Sequence, residues 1–475
     1  MEISKKSLLG ALLITVVGLV VGIGQPAYPQ LSPTGHYVLM VLLITVGLWV
    51  FKPFGLPFSM SALFLMAALL IIGIPMGRVF SGFTTGAIWT LIPALLFGHI
   101  ILKTGLGKRI AILLLKSFNP SYGKLVILFF IIGLIISVLT PSIVVRIAIM
   151  LPIALGCLEA CQVKGDSREG ALILLTSLMT AMIPGTAWFT GSLFGPVTQG
   201  MYDAVPELRG LITFASWSQV NFLPVAVVTV VVIGGGYLFF RPKHKLAITK
   251  EAFVKEYQSL GVMSRHEKLA AVIMFLSFVM FLFGGFGWHQ VPDPAIVLVA
   301  AFCLAVTGVL KQADLATGVN WDNVIFMGTA MGLSGVFAEV GLSAWISSIL
   351  IPLLRPISGN PWLFVYAVMI ILFVWRFFDI AVLVPTKAIL VPTLPLIGQE
   401  FGIHPLVWVP IFVLVGNSFF LSYTSGFVLA GQSVVKEKGW TQRQINTYGI
   451  FYGIACLIAL AVSIPYWSSL GFFHY

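Results

Sequence analysis

The sequence predicts an all-α polytopic membrane protein: about eleven transmembrane helices plus two re-entrant hairpins, in two inverted repeats. Three observations predict it. The 475-residue chain is 59% hydrophobic and only 9% charged, with a mean hydropathy of +1.04. Its apolar runs recur at about 20 residues, the length an α-helix needs to cross a bilayer. Short patterns in the first half return in the second at a nearly constant displacement.

The spans read near 8–24, 36–51, 57–76, 84–115, 171–200, 220–240, 268–287, 294–310, 322–350, 406–434 and 445–468. They carry Gly and Pro and lack the short polar alternation of outer-membrane strands. Met1 to Lys6 is basic, and the run from Leu8 reads as a first span because no small-residue cleavage site follows it. Two further apolar stretches, 123–160 and 362–399, are interrupted at Thr140-Pro141-Ser142 and from Asp379 to Thr386. Both fit re-entrant hairpins, since broken backbone at membrane depth is tolerated only where protein or a water-filled cavity covers it. With the hairpins neutral and the N-terminus inside, 20 of the 27 Lys and Arg fall on the cytoplasmic side. Arg78, Arg209 and Arg355 fall outside, and four lie at membrane depth. This asymmetry orients the chain, with its C-terminus outside. A multi-pass location in a bacterial inner membrane follows as the expectation. The pI of 9.5 then reflects basic cytoplasmic loops and not a nucleic-acid partner.

Lys103-Thr-Gly-Leu-Gly-Lys-Arg-Ile-Ala111 is echoed by Glu339-Val-Gly-Leu-Ser-Ala-Trp-Ile-Ser347, displaced by 236. Ile149-Met-Leu-Pro152 returns as Ile389-Leu-Val-Pro392, displaced by 240, and Thr186 returns as Thr424, displaced by 238. Residues 1–240 therefore read as a first repeat. It holds scaffold helices over 1–83, a long helix at 84–120, a hairpin at 123–160, a broken helix at 171–200 and a helix at 220–240. Residues 241–267 read as a cytoplasmic linker, helical or a plain charged loop. Residues 268–475 read as a second repeat, with its hairpin at 362–399 and its broken helix at 406–434. Inverted repeats with helices broken near mid-membrane characterise secondary transporters.

A charge at bilayer depth costs about 2.5–3.5 kcal/mol on insertion scales, so Lys103, Arg146, Arg376 and Lys387 are functional candidates. Arg146 follows the first break by one turn, and Lys387 lies one residue past its repeat equivalent. Helix N-termini after Pro141-Ser142, Pro184-Gly185-Thr186, Pro385-Thr386 and Thr424-Ser425-Gly426 offer free N–H groups to an anion. The candidate substrate-binding set is Thr140, Ser142, Arg146, Gly185, Thr186, Thr386, Lys387, Ser422, Thr424 and Ser425. For each hydroxyl, a bond back to its own helix is the competing role. Arg376 and Asp379, three apart on one helical face, are expected to pair. Lys103 is expected to reach toward the cytoplasm, and His99 to be packed. The four cysteines have neither metal nor disulfide spacing, and no enzyme or nucleotide motif is present.

The segments 103–111, Met150-Leu-Pro-Ile153 and Trp321-Asp322 leading to Gly341-Leu342 resemble the divalent anion/sodium symporter family. The branch nearest is that of the plastid 2-oxoglutarate/malate translocators. The resemblance implies a homodimer with a static scaffold and a mobile transport domain, moving di- and tricarboxylates, sulfate or related anions. The family carries Ser-Asn-Thr at each hairpin tip, where substrate and sodium are coordinated. Here the first tip has Ile143 and Val144 in place of Asn and Thr, and the second reads Val382-Leu383-Val384. The expectation is a secondary active anion transporter without a cofactor, working by an elevator-type displacement, with sodium coupling open and exchange expected only if the fixed cations replace sodium. Sodium- or proton-coupled symport, an arsenite or sodium/proton transporter of the same superfamily, and a non-transporting sensor or assembly subunit are the alternatives.

Overall fold

The computed structural model describes residues 5–27, 30–244, 249–379 and 381–473. The expectations for Met1 to Ser4, the positive charge of Lys245 and Ile380 within the second break lie outside the described residues. The described chain is helical, with one isolated β-bridge between Ile403 and Phe473. Among the described residues, nine helices are long and apolar enough to cross a membrane, or up to ten if one bent pair counts as a single span. The multi-pass all-α class therefore holds.

Several spans expected to be continuous are not. The long helix expected over 84–115 divides into Gly86–Thr104 and Leu106–Leu115 at Gly105, whose φ is +75°. Its counterpart divides into Trp321–Glu339 and Leu342–Ser358 at Gly341, φ +74°, with a bend of 84°. Left-handed backbone is open to glycine without steric penalty. The two breaks are separated by the same displacement as the sequence echo around them.

The first hairpin is Tyr122–Leu139 and Ile143–Ala160. Each arm has 18 residues, about 27 Å at 1.5 Å per residue, so each is long enough to cross the hydrocarbon. The second hairpin is Pro361–Trp375, an irregular tip, and an arm broken into Val384–Leu390 and Leu394–Phe401 by a 3-10 turn at Val391–Thr393. Pro392 and Pro395 in this arm cannot donate to the helical ladder. The broken helices are Arg168–Met182 with Phe194–Asp203, and Trp408–Gly416 with Gly426–Val435.

The first broken helix is wrapped by protein: every residue from Gly170 to Met182 is buried. It packs between the arms of the first hairpin and the helix Phe214–Phe239, which in turn lies along the last helix, Gln442–Ser469. The linker is helical over Lys250–Ser259 and is tied down. Lys108 Nζ is 2.7 Å from Glu256 and Arg109 Nε is 2.7 Å from Glu267, while Lys116 Nζ sits 3.3 Å from the centroid of the Tyr257 ring.

Candidate functional site

Both hairpin tips meet at one cavity of about 730 Å³. The first tip contributes Pro141 to Val145, and the second contributes Ala381, Val382, Val384 and Lys387. Leu193, Phe194 and Val197 come from the first broken helix, and Gly426, Phe427 and Leu429 from the second. The opposing wall is made by Lys52, Phe58, His99, Asn320, Asn323 and Phe326. Two lysines line this space, and none of its described wall residues is Asp or Glu.

Local chemistry shapes the first tip. Pro141 drives Thr140 out of helical geometry into extended backbone, φ −144°. Ser142 then caps the second arm, its Oγ accepting from Val145 N at 3.3 Å, while Ser142 N donates to Thr140 Oγ1 at 3.2 Å. Gly98 lets the helix Gly86–Thr104 close on this tip. A Cβ there would lie 3.0 Å from Thr140 Oγ1 and 3.1 Å from Val145 Cγ2.

Lys387 is fully buried in the cavity wall. Its Nζ donates to Thr198 Oγ1 at 3.3 Å and stands 5.3 Å from the centroid of the Phe194 ring, and it makes no ion pair within 4.0 Å among the described residues. It is the one member of the four membrane-depth cations to line the cavity.

Arg146 is fully buried too, but it is not a wall residue. Its Nε donates to Ala181 O at 2.7 Å, and its Nη1 to Thr140 O at 2.8 Å and Gly191 O at 2.7 Å, with Nη2 left unpartnered. The guanidinium thus ties the hairpin tip to the C-terminal end of the first broken half-helix. The second half of the chain does the same with a different residue. Arg376 Nη1 donates to Asp379 O, and Nη2 reaches Gly416 O, the last helical residue of the second broken half-helix, at 3.5 Å. Cations at helix C-termini meet the negative end of the helix dipole.

The expected Arg376–Asp379 pairing is therefore a guanidinium–carbonyl contact and not an ion pair. The Asp379 carboxylate turns instead to the second arm, where Oδ2 accepts from Thr386 N at 3.2 Å and from Thr386 Oγ1 at 2.5 Å. The free N–H groups of that arm's first turn attract it more directly than the arginine on the preceding helix.

Of the ten expected substrate contacts, Ser142 and Lys387 line the cavity. Thr140 lies buried behind the tip. Thr186 and Thr424 bond back to Ile183 O and Leu421 O, each at 2.7 Å, and Ser425 caps the helix from Gly426. Ser422 reaches Gln442 at 3.0 Å. At Gly185 a Cβ would sit 2.7 Å from Ser137 Cβ and 3.0 Å from Arg146 Nη2, so this glycine admits the clamp and not the cavity. A broken helix leaves carbonyls and N–H groups without water to bond, and its own hydroxyls satisfy them first.

Lys103 is exposed and is also paired. Its Nζ donates to Asp314 Oδ2 at 2.6 Å, and His99 Nε2 is 3.0 Å from Asp314 Oδ1. Burial alone would raise the Asp314 carboxyl, but the hydrogen bonds from Lys103, Lys311 N and His99 outweigh it and hold the group at about 2. Sequence reasoning missed Lys52, Asn320 and Asn323 as wall residues, and Asn417, whose carboxamide is buried without a partner. Asn417 stands out in the apolar run 408–420; Lys52 had only its place at a helix end to mark it.

The fold, with a lysine-lined cavity between the two tips, is that of a multi-pass membrane protein. The chain belongs to the family of the sodium:sulfate symporter transmembrane region, whose model matches residues 5–473. It is similar to the chloroplastic dicarboxylate transporter 1 of Spinacia oleracea, 24% identical over 94% of this chain and 75% of that one. It is also similar to the putative malate transporter YflS of Bacillus subtilis, 24% identical over 75% of this chain and 74% of that one. The YdaH transporter of Alcanivorax borkumensis superposes with a TM-score of 0.52 over 83% of this chain and 88% of that one at 14% identity, a likeness of fold alone.

Proposed function

We propose that the protein is a secondary active transporter of small dianions, dicarboxylates first, that exchanges them by an elevator-type displacement of the hairpins and broken helices against the scaffold. The observation that carries this is the cavity between the two tips, lined by two lysines and by no described acidic residue. A small dianion matches that charge, and the curated relatives named for dicarboxylate and malate transport make it the first class to test. Sulfate and tricarboxylates are the next.

Exchange follows from the charge balance. Arg146, Arg376 and Lys387 are buried without ion pairs among the described residues, and the one buried carboxylate among the two hairpins, Asp379, offsets one of their three charges. An empty mobile unit would carry these charges through the apolar barrier, whereas a bound dianion offsets them. Fixed cations would thus replace coupling sodium, in keeping with the apolar residues at both tips. The unit that moves comprises both hairpins, both broken helices and the paired helices Phe214–Phe239 and Gln442–Ser469. The scaffold comprises the remaining spans of the two repeats, 1–240 and 268–475, and 241–267 is the linker. The hairpins enter and leave on one side, the N-terminus is cytoplasmic, the C-terminus is outside, and the protein works as a homodimer in a bacterial inner membrane.

Counterflow of radiolabelled malate, sulfate and citrate into proteoliposomes, with sodium and with choline, tests this reading. Trans-anion-dependent uptake that is indifferent to sodium is expected. Uptake that requires sodium, or no uptake of any of the three, would overturn it.

A further inference from the structure

The cavity wall opposite the hairpins holds a second cation that the membrane-depth charges do not include. Lys52 follows the helix Pro33–Phe51 in left-handed backbone, φ +42°, and Phe54 just beyond it has φ +57°. Two side-chain-bearing residues in this sparsely allowed region mark a strained turn, and strain of this kind concentrates at functional sites. The turn holds the Lys52 ammonium 3.6 Å from the centroid of the Phe58 ring. Phe58 stacks in turn on Phe326, another wall residue, at 4.9 Å between centroids.

This ammonium is held by an aromatic face and not by a carboxylate. The nearby Asp322 carboxylate accepts from Ser59 N at 2.7 Å, and no described carboxylate lies within 4.0 Å of Lys52 Nζ. Partial burial pushes the ammonium below the ordinary lysine value, against the pull of Asp322. A cation over an aromatic ring keeps its charge available to a ligand. Beside it on the same wall is Asn323, in the first turn of Trp321–Glu339. Its backbone N–H is taken by Asn320 Oδ1 at 3.1 Å, but its carboxamide has no protein hydrogen bond among the described residues. The positive end of that helix adds to the same wall.

We infer that Lys52 and Asn323 form a scaffold-side subsite for the second anionic group of the substrate, facing Lys387 across the cavity. This rests on the transport reading above. The consequence is asymmetry. Lys387 travels with the hairpin, whereas Lys52 and Asn323 stay with the scaffold at the membrane face to which residues 52–55 belong. The anion therefore has two cationic partners at that face and one at the other. Capping of the Pro33–Phe51 helix by Lys52 would explain a stability effect but no sidedness.

The test is malate counterflow with the full-length protein in right-side-out and inside-out vesicles, comparing wild type with Lys52→Gln, Lys52→Arg and Asn323→Ala. Lys52→Gln should raise the malate KM at the cytoplasmic face about tenfold, the size of one charge-assisted contact. It should leave the opposite face within twofold, and Lys52→Arg should recover most of the loss. Asn323→Ala should shift the same face by a smaller factor. Without any variant, millimolar malate should protect Lys52 of the wild-type protein from an amine-reactive label. An unchanged KM at both faces, an equal rise at both, or unprotected labelling of Lys52 overturns the subsite. Wild-type vesicles that exchange no anion at all overturn the transport reading instead.

Discussion

Replacing Arg146 with Gln should loosen the first hairpin and uncouple transport. The guanidinium makes three hydrogen bonds of 2.7–2.8 Å to the carbonyls of Ala181, Thr140 and Gly191. A carboxamide has two N–H donors on one nitrogen and can keep at most two of them. Hydrogen bonds from a charged donor contribute about 1.5–3 kcal/mol each, and carbonyls left unpaired in a dry site carry their own penalty. The opposing term is the desolvation of a guanidinium with no counter-ion, which the substitution relieves by several kcal/mol. The net expectation is a loss of about 2–3 kcal/mol at the tip. Thermal unfolding of the purified protein in detergent reads the stability. Counterflow against net uptake reads the coupling, and uptake without trans-anion should rise. Arg146→Lys separates the two causes, because it keeps the charge but not the planar fork. It should lose stability yet remain coupled. If Arg146→Gln unfolds at the wild-type temperature and exchanges anions at the wild-type rate, both the clamp and the charge argument for this residue are wrong.

Lys387 should behave in the opposite sense. Its ammonium has one hydroxyl partner at 3.3 Å, so Lys387→Met should leave the unfolding temperature unchanged or higher while reducing counterflow at least tenfold; a stability loss without a transport loss would contradict its place at the substrate. Gly98→Val should slow exchange with little change in KM, since even a Cβ lies 3.0 Å from Thr140 Oγ1, and a variant with wild-type turnover would show that the tip does not slide past this helix. Asp314→Asn should lower thermal stability by releasing Lys103 and His99. The wild-type carboxyl is depressed to about 2, so its contribution is complete above about pH 4 and fades as pH falls through about 2. The difference between the two proteins should accordingly be constant from pH 5 to 8 and narrow only below about pH 4. A difference that changes between pH 6 and 8 would assign the effect to another group.

The membrane class of this protein, most span positions within a few residues and the breaks at Thr140–Ser142, Pro184–Thr186 and Thr424–Gly426 are legible in the chain. They depend on local quantities: apolar run length, Pro and Gly positions, and the bias of Lys and Arg between loops. The echo of Lys103–Ala111 in Glu339–Ser347 spans two glycines, Gly105 and Gly341, at which the structure breaks both helices with nearly equal φ. That the breaks divide each long helix was not legible, because a continuous apolar run does not say where one glycine turns left-handed.

The site was legible in part. Ser142 and Lys387 were marked by a hairpin break and by a charge in an apolar run, and both line the cavity. The other hydroxyls and Arg146 were marked by the same signals, but broken backbone claims polar side chains before a ligand can. Which signal means a ligand contact and which a backbone bond depends on where the unsatisfied carbonyls point. Lys52, 335 residues from Lys387 in the chain, reaches the same cavity only because the two halves of the chain pack together. Sequence alone thus determined the membrane class, the breaks marked by Pro and polar residues, and the family resemblance, which arise from local composition and pattern. Tertiary structure alone decided which buried cations serve the backbone and which face the chamber, because that assignment depends on contacts between residues far apart in the chain.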